Sequence, residues 1–267
     1  MTTDKQNRTP RRGVYILPNM ATAGSVFVAF LGILWAVNGA YTHCALAILG
    51  SALLDGMDGK IARLTNTASD FGVQMDSLAD AVAFGVTPGI MVYLWQLQRI
   101  GDQVGLAVSF LFIICGILRL ARFNVMTGSI SKKFFIGLPI PAAACALAAL
   151  VLFHQLLPAK LQQYLPWVTL GLTFVLALLM VSTIRYFSFK EFGFVRERPF
   201  RWLVISILLF GVLVTRPRIF GFSFFVGYLI SGPIYTLFFM HRKRTSPDGE
   251  PIVDDEETGE DDPEAEF

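Results

Sequence analysis

Apolar residues in this chain fall in long unbroken blocks. They do not show the strict alternation of a half-buried strand or the narrow apolar stripe of a surface helix. Eight such blocks run along it, at 21–38, 41–64, 70–97, 103–124, 138–157, 164–184, 201–215 and 220–240. A helix of about 20 apolar residues rises about 30 Å, the thickness of bilayer hydrocarbon. The pattern predicts an all-α fold, a polytopic membrane helical bundle of about eight transmembrane helices, with 201–215 its shortest member. The first block leads into Asn38 and Tyr41 with no small-residue cleavage site, so it is expected to stay as a helix.

Composition strengthens this reading. With 54% hydrophobic residues the chain is too apolar for a water-soluble domain, whose surface must carry charge. Its net charge of +2 conceals an uneven distribution. From Asp248 onward there are 11 Asp or Glu and no Lys or Arg, which leaves 22 basic and 9 acidic residues, or +13, in the rest. The expected division is a membrane domain over 1–245 and an acidic, disordered cytoplasmic tail over 246–267. If the N-terminus lies inside, 18 of the 22 basic residues fall on that side and 4 on the other. By the positive-inside rule both termini are then cytoplasmic, in a cytoplasmic (inner) membrane, and so is the turn at 65–68 between the second and third helices.

Four aspartates break the apolar pattern. Asp55 and Asp58 stand at i, i+3 on the second helix and Asp76 and Asp80 at i, i+4 on the third, so each pair shares a helix face. The polar turn between makes the two helices antiparallel neighbours, and the four carboxylates converge near their cytoplasmic ends. Each acid at mid-bilayer costs about 2.5 to 3.5 kcal/mol, so four uncompensated would cost about 10 to 14 kcal/mol. Lys60 and Arg63 are too few to balance them. Hard divalent cations with oxygen ligands, Mg²⁺ or Mn²⁺, answer that cost and leave places for phosphate oxygens. Zinc is not indicated, because His43, His154 and His241 are scattered, and Cys44, Cys115 and Cys145 read as small buried hydrophobes.

Small residues accompany the acids. Gly59 is four residues from Asp55, Ala62 four from Asp58, and Gly72 four before Asp76, which leaves a strip free of large side chains where a flat ligand could lie or helices could pack closely. Arg63 at the helix end can bind phosphate bidentately or snorkel to the interface. Arg119 and Arg122, at i, i+3 on the fourth helix and on the same side, can bind an acceptor carboxylate or a lipid phosphate, or serve as topology anchors beside Lys132 and Lys133. Pro139 and Pro141 are expected to shape the entry of the fifth helix. A transporter would spread its intramembrane acids across the membrane depth or repeat them in two halves; here they cluster between two helices.

The pattern D-x2-D-G-x2-A-R-x8-G-x3-D-x3-D, complete from Asp55 to Asp80, resembles the signature of the CDP-alcohol phosphotransferase family. That resemblance implies a six-helix catalytic core, a homodimer, and two divalent cations, Mg²⁺ or Mn²⁺, held by Asp55, Asp58, Asp76 and Asp80, with Asp80 also the catalytic base. It further implies that Asn19, Thr22, Gly59, Ala62, Arg63, Ser69 and Gly72 meet the CDP-lipid. Within the family, Leu17-Pro18-Asn19, Phe84-Gly85-Val86-Thr87-Pro88, Leu118 to Asn124 and Gly137 to Ala143 are most similar to the branch whose acceptor is L-serine. CDP-diacylglycerol, L-serine and membrane lipids are the implied partners, with Arg119, Arg122 and Asn124 as acceptor or phosphate contacts and no nucleic acid. Glycerol 3-phosphate or inositol is the alternative acceptor, and a cation- or proton-coupled transporter the alternative of a different class.

Overall fold

The first two blocks fold as a helical hairpin with small residues at its seam. In the computed structural model, which describes residues 16–65, 70–126, 135–186, 219, 221–229 and 231–232, α1 spans Ile16–Val37 and α2 spans Tyr41–Thr65. The turn is a Schellman closure: Ala40 N–H donates to Trp35 O at 2.8 Å and Gly39 N–H to Ala36 O at 3.0 Å. It requires Gly39 at φ +75°, which a side chain would strain. Thr22, Ser25, Ala29, Gly32 and Ala36 line the buried face of α1 at helical spacing, and Cys44, Ala45, Ala47, Ile48 and Ser51 line that of α2. Large residues such as Phe27, Phe30 and Leu34 point outward. Small inside and large outside is the arrangement of helices packed in lipid, where close backbone approach replaces hydrophobic collapse. The seam is tied by two bonds, Ser51 Oγ–H to Ser25 O at 3.0 Å and Ser25 Oγ–H to Ser51 O at 3.3 Å.

The third block is one continuous crossing with a widened turn in the middle. α3 (Asp70–Asp80) passes through a π-helical segment (Ala81–Val86) into α4 (Thr87–Trp95), followed by a 3₁₀ turn at Leu97–Arg99. Pro88 supplies a local reason: inside an α-helix it lacks an N–H and its ring clashes with the carbonyl four residues back, and a wider turn relieves that clash. Thr87 holds the wide turn, since both its backbone N–H and its hydroxyl, the latter at 2.9 Å, donate to Val82 O.

Around this crossing lie α5 (Asp102–Met126), α6 (Ile140–Phe153) and α8 (Leu165–Val181); α7 (Ala159–Gln162) is a single turn on the loop before α8. Every residue of α6 from Ala143 to Val151 is buried, which makes α6 the axis of the bundle. Pro139 caps its start and Pro141 lies in its first turn, as expected from the sequence. A two-residue bridge, β1 (Phe135–Ile136) with β2 (Arg185–Tyr186), ties the entry of α6 to the exit of α8. Gly137, at φ +80°, sits too close to Met180 O to carry a side chain.

Six expected crossings therefore coincide with described helices. The seventh, 201–215, lies outside the described residues, and the eighth is helical over 221–229 and 231–232. Three helical stretches, Asn19–Val37, Phe71–Arg99 and Gln103–Val125, are each long and apolar enough to cross a bilayer, and Ile140–Leu156 and Leu165–Val181 are shorter apolar helices. The protein is an integral membrane helical bundle. The acidic tail, 246–267, lies outside the described residues.

Candidate active site

The antiparallel run of α2 and α3 brings acids from the two helices together. One carboxylate oxygen from each of Asp55, Asp76 and Asp80 lies within 4.8 Å of the other two, and all three side chains are half-buried. Two like charges 4.8 Å apart at an effective dielectric of 20 repel by about 3.5 kcal/mol, so three ionised carboxylates oppose one another by about 10 kcal/mol. Among the described residues one arginine, Arg119 of α5, stands within electrostatic reach of Asp80 and Tyr228. The donor set consists of oxygens on two helices, which fits a hard divalent cation and not a soft one. The cluster can hold a metal ion.

Asp58 and Gly59 share α2 with Asp55, as do Ala62 and Arg63, but their side chains lie outside the described set; Ser69 lies outside the described residues. Gly72 is half-buried on α3. At the start of α1, Asn19 is half-buried and Thr22 is 5% exposed. Gly56, beside Asp55, is exposed, with no described residue within 4 Å of where a Cβ would stand.

The three α5 residues singled out from sequence have different surroundings. Arg119 has a buried Nε with no hydrogen-bond partner among the described residues. Arg122 points away, its Nη1 donating toward Val181 O at 3.5 Å at the negative end of α8. Asn124 pairs with Ser77 of α3, its Nδ2 donating to Ser77 Oγ at 3.0 Å. α6 packs against α2, so the axial helix backs the helix that carries Asp55.

Sequence reasoning missed Ser77, Tyr228 and the π segment. Ser77 sits inside the motif at a variable position. Tyr228 lies in an apolar block with no polar neighbour to flag it. The proline after Phe84-Gly85-Val86-Thr87 was the available sign of an irregular turn.

Residues 15–175 match the model of the CDP-alcohol phosphatidyltransferase family, and the chain belongs to that family. A CDP-diacylglycerol–serine O-phosphatidyltransferase of Helicobacter pylori strain J99 is 40% identical over 238 residues, spanning 86% of this chain and 95% of that protein. An enzyme of the same name from Methanocaldococcus jannaschii is 36% identical over 162 residues, 61% of this chain and 72% of that one. An archaetidylserine synthase of Methanothermobacter thermautotrophicus is 34% identical over 174 residues, 64% of this chain and 69% of that one.

Proposed function

We propose that this chain transfers the phosphatidyl group of CDP-diacylglycerol to the hydroxyl of L-serine, giving phosphatidylserine and CMP. The observation that carries the reading is the convergence of Asp55, Asp76 and Asp80 from two helices within 4.8 Å, a charge density that calls for cations and suits a diphosphate substrate. Serine as the acceptor is supported by the names of relatives at 34 to 40% identity.

In this reading Asp55, Asp58, Asp76 and Asp80 hold two Mg²⁺ or Mn²⁺ ions. When bound, the ions supply positive charge at the phosphate oxygens. Asp80 accepts the proton of the serine hydroxyl, whose oxygen attacks the phosphorus bearing diacylglycerol. The bond from that phosphorus to the bridging oxygen breaks, and CMP leaves with the electron pair. Gly59, Ala62 and Gly72 leave room for the nucleotide, Arg63 binds its phosphates, and Asn19, Thr22 and Ser69 border the lipid substrate. Arg119, the arginine that feels Asp80, receives the serine carboxylate. A direct displacement inverts configuration at phosphorus; retention, measured with a chiral phosphorothioate donor, would argue for two displacements instead.

The charge distribution, with 18 basic residues on one side and 4 on the other, supports a site and both termini facing the cytoplasm from the inner membrane, with 1–245 as the membrane domain and 246–267 as a soluble tail. A reporter fused after Phe267 should be active only if it needs the cytoplasm. By family resemblance the unit is a homodimer, which cross-linking in native membranes would trap as a doubled mass; a monomer at all cross-linker concentrations would refute it.

The acceptor is tested by incubating purified protein with CDP-diacylglycerol, Mn²⁺ and, separately, serine, glycerol 3-phosphate or inositol. CMP release with serine alone is expected. Release with another alcohol would reassign the acceptor, and no release with any of them would overturn the transferase reading.

A further inference from the structure

Asp76 and Asp80 flank a serine whose surroundings set it apart from the exposed apolar residues beside it. On α3, Phe71, Val73 and Leu78 are exposed, and a featureless apolar face does little to fix a helix's rotation about its own axis. Ser77, about 100° around the helix from Asp76 and about 60° from Asp80, is half-buried and meets Asn124 of α5. Asn124 Nδ2–H donates to Ser77 Oγ at 3.0 Å, and the serine proton can serve Asn124 Oδ1 at 3.2 Å or Val73 O at 3.1 Å. α5 packs along the π segment and α4 but makes few contacts with α3 itself, so this pair spans a place where backbone packing is thin.

The lever is short. A carboxylate oxygen stands about 6 Å from the helix axis, so a rotation of about 5° moves it about 0.5 Å, which exceeds the ±0.2 Å tolerance of a metal–oxygen bond. We propose that Ser77 and Asn124 form a positioning bridge: it fixes the rotation of α3, and with it the aim of Asp76 and Asp80 toward Asp55. Asn124 then acts through Ser77 and not by touching the acceptor. The inference rests on the reading that these carboxylates hold divalent cations. Partners that orient metal ligands in this way typically carry 10- to 100-fold of metal affinity.

The test is a double-mutant cycle read by Mn²⁺ binding, using electron paramagnetic resonance on full-length protein in detergent with no substrate present. Ser77→Ala and Asn124→Ala should each weaken Mn²⁺ binding about tenfold or more, with the double variant no weaker than either single one. Ser77→Thr and Ser77→Val have nearly the same shape and guard against a folding artefact: Thr, which keeps the hydroxyl, should retain affinity and Val should lose it. The Michaelis constant for serine at saturating Mn²⁺ should stay unchanged in Asn124→Ala. Unaltered Mn²⁺ affinity in either single variant, or fully multiplicative losses in the double one, would overturn the bridge. So would a raised Michaelis constant for serine in Asn124→Ala with Mn²⁺ affinity intact, which would make Asn124 an acceptor contact. If the wild-type protein binds Mn²⁺ and shows the cycle yet releases no CMP, the transferase reading falls and the bridge stands. If the enzyme is active and the cycle fails, only the bridge falls.

Discussion

The α1–α2 seam and the α3–α5 boundary are both contacts between membrane helices, but they are built differently. At the first, small residues let the backbones close in, and buried serines bond directly to main-chain carbonyls. At the second, backbone contact is sparse and polar side chains reach across. Close packing yields a rigid wall with no room for a ligand. Side-chain bridging joins two helices without close backbone packing. The contrast assigns the first seam to stability and the second boundary to chemistry, and substitutions on each side should fail in different ways.

The largest effect is expected at the chemical side. Asp80→Asn should lower serine-dependent CMP release by about 10³-fold, within the 10²- to 10⁴-fold range of general-base catalysis, while circular dichroism and elution from size exclusion stay the same. At the packed seam, Gly32→Leu should instead lower stability. A Cβ there would meet Ala47 Cβ at 3.1 Å and Thr87 Cγ2 at 3.3 Å, and overpacking of this kind costs about 1 to 3 kcal/mol, read as a lower thermal midpoint in detergent. Thr87→Val, which keeps shape but loses the hydroxyl bond to Val82 O, should cost about 1 kcal/mol. Ser51→Ala at the seam should cost about 0.6 kcal/mol, the average for such bonds within membranes. Opposite in sign, Gly56→Ala on the exposed side should leave stability unchanged or raise it by about 0.5 kcal/mol, because no described residue opposes the new methyl and alanine favours the helix. A destabilised Gly56→Ala would show that the exposed side is packed after all.

The fold was legible where one force dominates. Bilayer thickness dictates the length of each apolar block, so α1, α2, α5, α6 and α8 lie close to where the pattern puts them. The acids were legible because burying charge is so costly that four aspartates in apolar helices demand an explanation, and their i, i+3 and i, i+4 spacings fix a shared face without tertiary information. The π segment was not legible as such, since Pro88 signals only that something must give, and Thr87 acts through a bond to Val82 that exists only once the turn has widened. Arg119 and Arg122 looked alike in sequence, three residues apart on one helix. One lies within the field of Asp80 and the other points at the end of α8, a distinction set by which neighbours α5 packs against. Asn124 entered as an acceptor or phosphate contact through the family resemblance; its hydrogen-bond partner Ser77, 47 residues away in the chain, was not legible.

The central claim, that the carboxylate cluster is a cation-loaded centre for phosphatidyl transfer, is tested most directly by following serine-dependent CMP release from CDP-diacylglycerol before chelation, after it, and on return of metal. Release should vanish with chelator, return with Mn²⁺ or Mg²⁺ in excess, and stay about 10³-fold below wild type in Asp80→Asn whatever metal is returned. Release that survives chelation, or that stays near the wild-type rate in Asp80→Asn, would contradict it.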